Sequence, residues 1–510
     1  MAQTPDIASK NGSESTLLFD QTRIPFLESL LMEKTDPPIS FHMPGHKGTK
    51  TPHPLLLEYF GGNLHTADLV EMNPNVDYLH SPKGALLEAQ KLAAAAYGAD
   101  HTFFLINGST VGNMTAIMTT TGSNQKIIMP RASHRSVYGA IVLSGAIPIY
   151  IEPEYHPDIG FPLAVSVKTI ETLLEQHPDV VAIHLTSPNY YGVVSDIASI
   201  CYLAHTRGVA LLIDEAHGSH FGFHSNLPQS AVSLKADIIV QSTHKTQGSL
   251  TQSAMLHVND NGLVSRARVA QILSLLQSSS PSSILLASLD ATRMQMATEG
   301  RESLSNVIVL SQKARNAIRQ IDGLWCYGDE LIGTNHIFAF DPSKLIVRVS
   351  KIGMSGFQAT IMLRQQYGIE VEFADLKHII FSITIADTET TITKLLDALR
   401  SLIQQNYQTN KLDDSSIKPP AGLPHAAITL RDAYFASKTR SVPLNETVGN
   451  IIAENIIPYP PGIPLLIPGE IMEQRHLEYI CHLVNKGSNI VGVEDLSLRT
   501  IRIIDVSKQN

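Results

Sequence analysis

The chain has 510 residues, with 38 Lys or Arg against 47 Asp or Glu, and its formal net charge of −9 argues against a nucleic-acid partner, whose phosphates demand a basic surface. Hydrophobic residues make up 43% and charged residues 17%, a balance that excludes disorder over most of the length. At ~150 residues per domain, about three units are expected.

The N-terminal stretch 1–16 has no basic start followed by an apolar run, so no secretory signal is expected. The longest uncharged stretch, Thr102 to Gln125, is broken by Asn107-Gly108-Ser109-Thr110 and Gly112-Asn113, which would be costly in lipid, so a soluble protein without a membrane partner is expected. Cys201, Cys326 and Cys481 are far apart and show no CxxC spacing. That argues against a disulfide framework or zinc knuckle and fits a reducing cytoplasm.

Residues 85–97, rich in Ala and Leu between Gly84 and Gly98, predict a helix. Short apolar runs follow: Thr102–Ile106, Lys126–Met129, Ile147–Ile151, Val180–Leu185, Val209–Ile213 and Ile238–Val240. Helical spacing over Val165–Gln176 and Ile197–Arg207 lies between them. Strands alternating with helices predict an α/β fold with a mostly parallel sheet covered on both faces, where ligands sit at the carboxyl ends of the strands. A second, smaller α/β unit is expected after Ser278-Ser279-Ser280-Pro281, with a long helical stretch near Glu302–Ile321. Its strand candidates are Ile337–Phe340, Ile346–Val349 and Ile379–Ile385, and its closing helix lies near Thr390–Leu402. The expected division is an N-terminal arm over 1–35, a large domain over 36–300, a small domain over 301–406, a polar, proline-bearing linker over 407–422 and a C-terminal domain over 423–510.

The strongest chemical signal is Ile213-Asp214-Glu215-Ala216-His217-Gly218. A carboxylate ending an apolar strand is costly to bury unless a cation or donor faces it. Alone it is equally a capping acid. The helicase reading of Asp-Glu-Ala-His fails because no Gly-Lys-Ser or Gly-Lys-Thr is present to cradle phosphates. Lys245, in Gln241-Ser242-Thr243-His244-Lys245-Thr246, follows the next apolar run, where partial desolvation prepares an amine nucleophile. A strand-end acid and a strand-end amine on one sheet are what pyridoxal phosphate requires: a Schiff-base lysine and a partner for the pyridinium nitrogen. Asn107-Gly108-Ser109-Thr110-Val111-Gly112-Asn113, between a strand and a helical run, suits a phosphate at a helix N-terminus, though alone such a run reads more often as a plain strand-to-helix turn. His42 and His46 are separated by Pro44-Gly45, which breaks the helix a metal pair would need, so no metal site is expected.

With these residues in view, the chain resembles the pyridoxal-phosphate-dependent Orn/Lys/Arg decarboxylases of the aspartate-aminotransferase fold (fold type I), in their compact form without a wing domain. The pieces occur in order: His42-Met43-Pro44-Gly45-His46-Lys47-Gly48; Asn107-Gly108-Ser109-Thr110; Ser133-His134-Arg135-Ser136; Pro188-Asn189-Tyr190-Tyr191-Gly192; Asp214-Glu215-Ala216-His217; Ser242-Thr243-His244-Lys245 with Leu250-Thr251-Gln252; and Tyr459-Pro460-Pro461-Gly462-Ile463-Pro464 with Pro468-Gly469-Glu470. The segment Thr246-Gln247-Gly248-Ser249 departs from the more apolar stretch usual in the family and implies altered local packing.

The resemblance implies that Lys245 binds the cofactor aldehyde and Asp214 keeps the ring nitrogen protonated. Gly108, Ser109, Thr110, Ser242 and His244 would form the phosphate site, His134 would stack on the ring, and Ala216 would pack on its other face. Thr251 is expected to reach the phosphate site of a neighbouring subunit in a homodimer. Glu470 and His217 are the expected substrate contacts, and Lys245, His244 and Cys481 the candidate proton donors. The implied reaction is decarboxylation of a basic L-amino acid: arginine to agmatine first, in polyamine biosynthesis, with lysine or ornithine as alternatives. An aminotransferase or aldolase on the same fold would share Lys245 and Asp214, whereas a non-catalytic homologue would have lost them.

Overall fold

A computed structural model describes residues 20–35, 39–48, 53–70, 76–406, 419–459 and 462–505. Most of the expected linker and the Pro460-Pro461 pair lie outside these residues; every expected site residue lies within them.

Eight strands organise the large unit: β1 (His101–Leu105), β2 (Lys126–Pro130), β3 (Ile147–Ile151), β4 (Val180–Thr186), β5 (Val193–Val194), β6 (Ala210–Asp214), β7 (Ile238–Gln241) and β8 (Ala254–Val258). All but β5 form one sheet of order β1-β8-β7-β6-β4-β2-β3. The run from β7 to β3 is parallel, and β8 lies antiparallel between β1 and β7. Their largely apolar sequences reflect burial on both faces at the centre of the sheet, where every residue of β6 is buried. One face packs the helices Gly108–Thr120, Arg135–Ser144 and Arg266–Leu276, the other Val167–Gln176 and Ile197–His205.

β8 lies outside the apolar runs expected from the sequence. Its run Ala254–Val258 carries His257 in the middle, a polar residue that breaks the apolar signature. In the fold the His257 ring is buried and satisfied, 2.8 Å from Thr102 Oγ1 and 3.1 Å from Gln241 Oε1. The long helix also differs: it runs 37 residues, Ser283–Arg319, starting well before Glu302. Of Ile337–Phe340, only Ala339–Phe340 is a strand, and it pairs with β5. The smaller unit is built on an antiparallel sheet with Lys344–Arg348 beside His378–Ser382. A third unit, around the helix Gln474–Asn485, has its own core of Val442, Ile452, Ile456, Leu466, Met472 and Ile480.

The sheet sets the site's position. Because β8 reverses, β1, β6 and β7 run in the same direction, and their carboxyl ends bring Asn107-Gly108, Asp214 and Ser242 to one edge. The helix starting at Gly108 lies close against that sheet: a Cβ on Gly112 would sit 2.5 Å from Val240 Cγ1, so glycine permits the approach. Gly108 itself has φ of 70°, a left-handed turn that favours glycine as the chain passes from β1 into the helix.

Candidate active site

Asp214 is the last residue of β6 and is 4% exposed. One carboxylate oxygen accepts from Asn113 Nδ2 at 2.8 Å and the other from the Ala216 N–H at 3.1 Å. Among the described residues it makes no ion pair, so a buried anion here is held by neutral donors alone, an arrangement suited to a cationic ring nitrogen.

Lys245 stands in a short helix, Thr243–Thr246, directly after β7. Burial is the largest influence holding its amine below the ordinary lysine value, with the Asp214 charge opposing. Its Nζ lies 3.0 Å from His217 Nε2. Burial, then the Lys245 charge, keeps the His217 ring well below the usual imidazole range, so it stays neutral and its Nε2 accepts from the lysine. His217 Nδ1 is then a buried N–H without a partner among the described residues.

Ser109 Oγ and Ser242 Oγ lie 2.6 Å apart, joining the helix that begins at Gly108 to the turn after β7. His244 Nδ1 donates to the Ser253 carbonyl at 2.7 Å, which turns the ring toward the loop before β8. His134 caps the helix Arg135–Ser144, its Nδ1 2.8 Å from Ser136 Oγ, and burial lowers its pKa. Capping and facing the site are therefore compatible roles for it. Ser136 Oγ also accepts from Asn113 Nδ2 at 3.2 Å, so His134, Ser136, Asn113 and Asp214 are linked in one network.

Thus Lys245, Asp214, Ala216, His217, Gly108, Ser109, Ser242, His244 and His134 converge on one sheet edge. Thr110 and Thr251 are exposed, and Thr251 makes no side-chain hydrogen bond among the described residues. Two expectations are corrected. Glu470 is 2% exposed, and its carboxylate is taken by Arg131 at 3.1 and 2.8 Å and by the Ile467 N–H at 2.9 Å, so it is not a free anion for a substrate. Cys481 is exposed on the C-terminal helix and leaves the set of proton donors.

Sequence reasoning missed Asn113 and Glu372. Asn113 stood in a run read as a turn; once that run starts a helix at Gly108, Asn113 falls in its second turn, beside the strand end that carries Asp214. Glu372 gave no local signal. It reaches the site from the small unit: Phe373 packs edge-on against Tyr190 with centroids 6.4 Å apart, and Tyr190 packs against His217 at 5.4 Å. The Glu372 charge acts on both Lys245 and His244, and its exposed carboxylate has no hydrogen bond among the described residues. A separate cavity of ≈ 520 Å³ lies between all three units, bounded by Arg131, Tyr191, Asp375 and Tyr479, and is lined by none of the expected site residues.

The residues fit pyridoxal phosphate: a desolvated amine for an aldehyde, an unpaired buried carboxylate for a ring nitrogen, and small hydroxyls with a helix N-terminus for a phosphate. Comparison with known proteins agrees. Residues 24–391 match the family model described as Orn/Lys/Arg decarboxylase, major domain, and residues 412–495 its C-terminal domain. The chain is 42% identical over 487 residues to an arginine decarboxylase of Bacillus anthracis, covering 95% of this chain and 98% of that one. It is 40% identical over 488 residues to an arginine decarboxylase of Bacillus subtilis (strain 168), covering 96% and 99%. In fold it is similar to the lysine decarboxylase LdcF of Francisella novicida, with a TM-score of 0.82 at 19% identity, covering 98% of this chain and 84% of that one.

Proposed function

This chain belongs to the Orn/Lys/Arg decarboxylase family, a family of pyridoxal-phosphate-dependent amino-acid decarboxylases, and on that premise we propose that it converts L-arginine to agmatine and carbon dioxide, as a step toward polyamines. The observation that carries the reading is the convergence of buried Asp214 and desolvated Lys245 on one sheet edge. The arginine decarboxylases matched at 40–42% identity support the choice of substrate.

Lys245, Asp214, Ser109, Ser242, His244 and His134 would hold the cofactor. When bound, pyridoxal phosphate supplies an electron-accepting ring for the pair left on Cα as carbon dioxide departs. Asp214 would keep the ring nitrogen protonated, and Asn113 and the Ala216 N–H keep that carboxylate in place. His217 accepts from Lys245 and directs the amine, while burial favours the neutral form of that amine. Lys245, oriented by His217, would return a proton to Cα; His244, whose Nδ1–H is held by the Ser253 carbonyl and whose pKa burial lowers, has no second proton to give in its neutral form.

Glu372 takes the part assigned from sequence to Glu470: an unpaired carboxylate on the small-unit wall that receives the guanidinium of the substrate. A charge-assisted pair of this kind contributes ~1.5–3 kcal/mol, so Glu372→Gln is expected to raise KM for arginine about tenfold or more with kcat little changed. Steady-state kinetics with arginine, lysine and ornithine check both statements. Arginine should show the highest kcat/KM in the unaltered enzyme; a higher value for lysine or ornithine contradicts the substrate assignment, and an unchanged KM in Glu372→Gln contradicts the role of that residue.

The reading includes a homodimer. Ile39, Phe41, Leu55, Tyr59 and Phe60 are exposed, and the helix Pro54–Phe60 buries none of its residues, an apolar display that supports a second copy covering this segment. Light scattering of the cofactor-loaded protein should give twice the chain mass of 55.7 kDa. A fully active particle of single-chain mass refutes it.

A further inference from the structure

Arg131 follows the last residue of β2 and precedes Ala132-Ser133-His134. Its side chain is 4% exposed and that of Glu470 3%. Nε and Nη2 donate to the two oxygens of Glu470, Nη1 donates to Tyr138 Oη at 3.0 Å and the Pro464 carbonyl at 2.8 Å, and Nη2 also reaches the Leu465 carbonyl at 3.3 Å. Every N–H of the guanidinium fork therefore has an acceptor, and two of those acceptors are main-chain atoms of the C-terminal unit. Tyr138 Oη donates back to the Arg131 carbonyl at 2.5 Å, fixing the backbone as well as the side chain. On the other partner, Gly469 has φ of 95° and passes so near the main chain that a Cβ would sit 2.7 Å from the Ile428 carbonyl oxygen. The Pro468-Gly469-Glu470 turn thus aims one carboxylate from the C-terminal unit into the large unit.

From Arg131 the restraint continues toward the chemistry. Ser133 Oγ donates to the Pro130 carbonyl at 2.7 Å, His134 is held on Ser136, and Ser136 shares Asn113 with Asp214. A buried ion pair is often replaceable by apolar residues of similar volume without loss of stability, so stability alone is a weak reason for a clasp of this kind. We propose that Glu470 and Arg131 are positioning residues: the C-terminal unit grips the end of β2 and thereby sets the placement of His134 and, through Ser136 and Asn113, the orientation of Asp214. The inference rests on the cofactor-site reading above.

The test compares full-length, cofactor-loaded wild type with Arg131→Met/Glu470→Leu and with Glu470→Gln. Four quantities are read: thermal unfolding, the visible circular dichroism of the bound cofactor, and kcat and KM for arginine. The double variant leaves the Ile467 N–H and the Pro464 and Leu465 carbonyls without their side-chain partners, so it is expected to unfold at a lower temperature than wild type while still folding and keeping its cofactor. Its visible dichroism should fall by about half or more, and its kcat about tenfold or more with KM changed less, because small displacements of catalytic groups are costly. Glu470→Gln should move the dichroism and kcat in the same direction by a smaller factor, and it decides alone if the double variant does not fold. Dichroism and kcat equal to wild type in a folded variant overturn the proposal and leave the clasp a purely structural strut. Absence of a visible cofactor band in wild type would instead refute the reading of the site, independently of the clasp.

Discussion

Lys245→Ala is expected to lower kcat for arginine by at least about a thousandfold, because it removes the amine proposed to bind the cofactor aldehyde and to return a proton to Cα. The loss should be local. Lys245 sits on a short helix whose main chain is held by the hydrogen bond from the Lys245 N–H to the Ser242 carbonyl, and that bond does not depend on the side chain. Ser109 and Ser242 are untouched, so the variant should still bind pyridoxal phosphate, now without a covalent attachment and removable by gel filtration. Absorbance before and after desalting, read beside kcat, separates loss of chemistry from loss of binding. A variant that retains a tenth or more of wild-type turnover contradicts the role given to this amine.

Asp214→Asn is the second large effect, with an expected loss of about a hundredfold to a thousandfold in kcat, the range that follows removal of a fixed charge or donor aimed at developing charge. Asparagine nearly preserves the shape. It cannot accept at both positions, however, and the contacts to Asn113 Nδ2 and the Ala216 N–H require two acceptors. One buried donor is left facing an amide N–H, a mismatch that costs ~1–3 kcal/mol, so cofactor affinity and thermal stability should fall together with kcat. Titrating the variant with pyridoxal phosphate and measuring turnover at saturation distinguishes weakened binding from the lost electron sink. Near-normal turnover at saturation contradicts the assignment of Asp214 to the ring nitrogen.

The sheet and the site's anchor residues were legible because they write themselves locally. Uninterrupted apolar runs mark strands buried on both faces, and an acid or amine at the end of such a run stands out against that background, as Asp214 and Lys245 do. What escaped depends on partners distant in sequence. β8 is disguised by His257, which is tolerable only because Thr102 and Gln241 meet its ring. Glu470 carries a strong local motif, yet what it binds is set by Arg131, more than three hundred positions earlier in the chain. Glu372 has no motif; its relevance comes from Phe373 meeting Tyr190 once the small unit packs against the large one. In each case the composition of a segment was readable, and the contact that gives it a role was not.

The most direct measurement is borohydride reduction of the purified, cofactor-loaded protein followed by peptide mapping. Reduction is expected to remove the visible cofactor band and leave a pyridoxyl group on Lys245, with the reduced protein inactive toward arginine. Labelling of another lysine, or a fully active protein that carries no reducible cofactor, contradicts it.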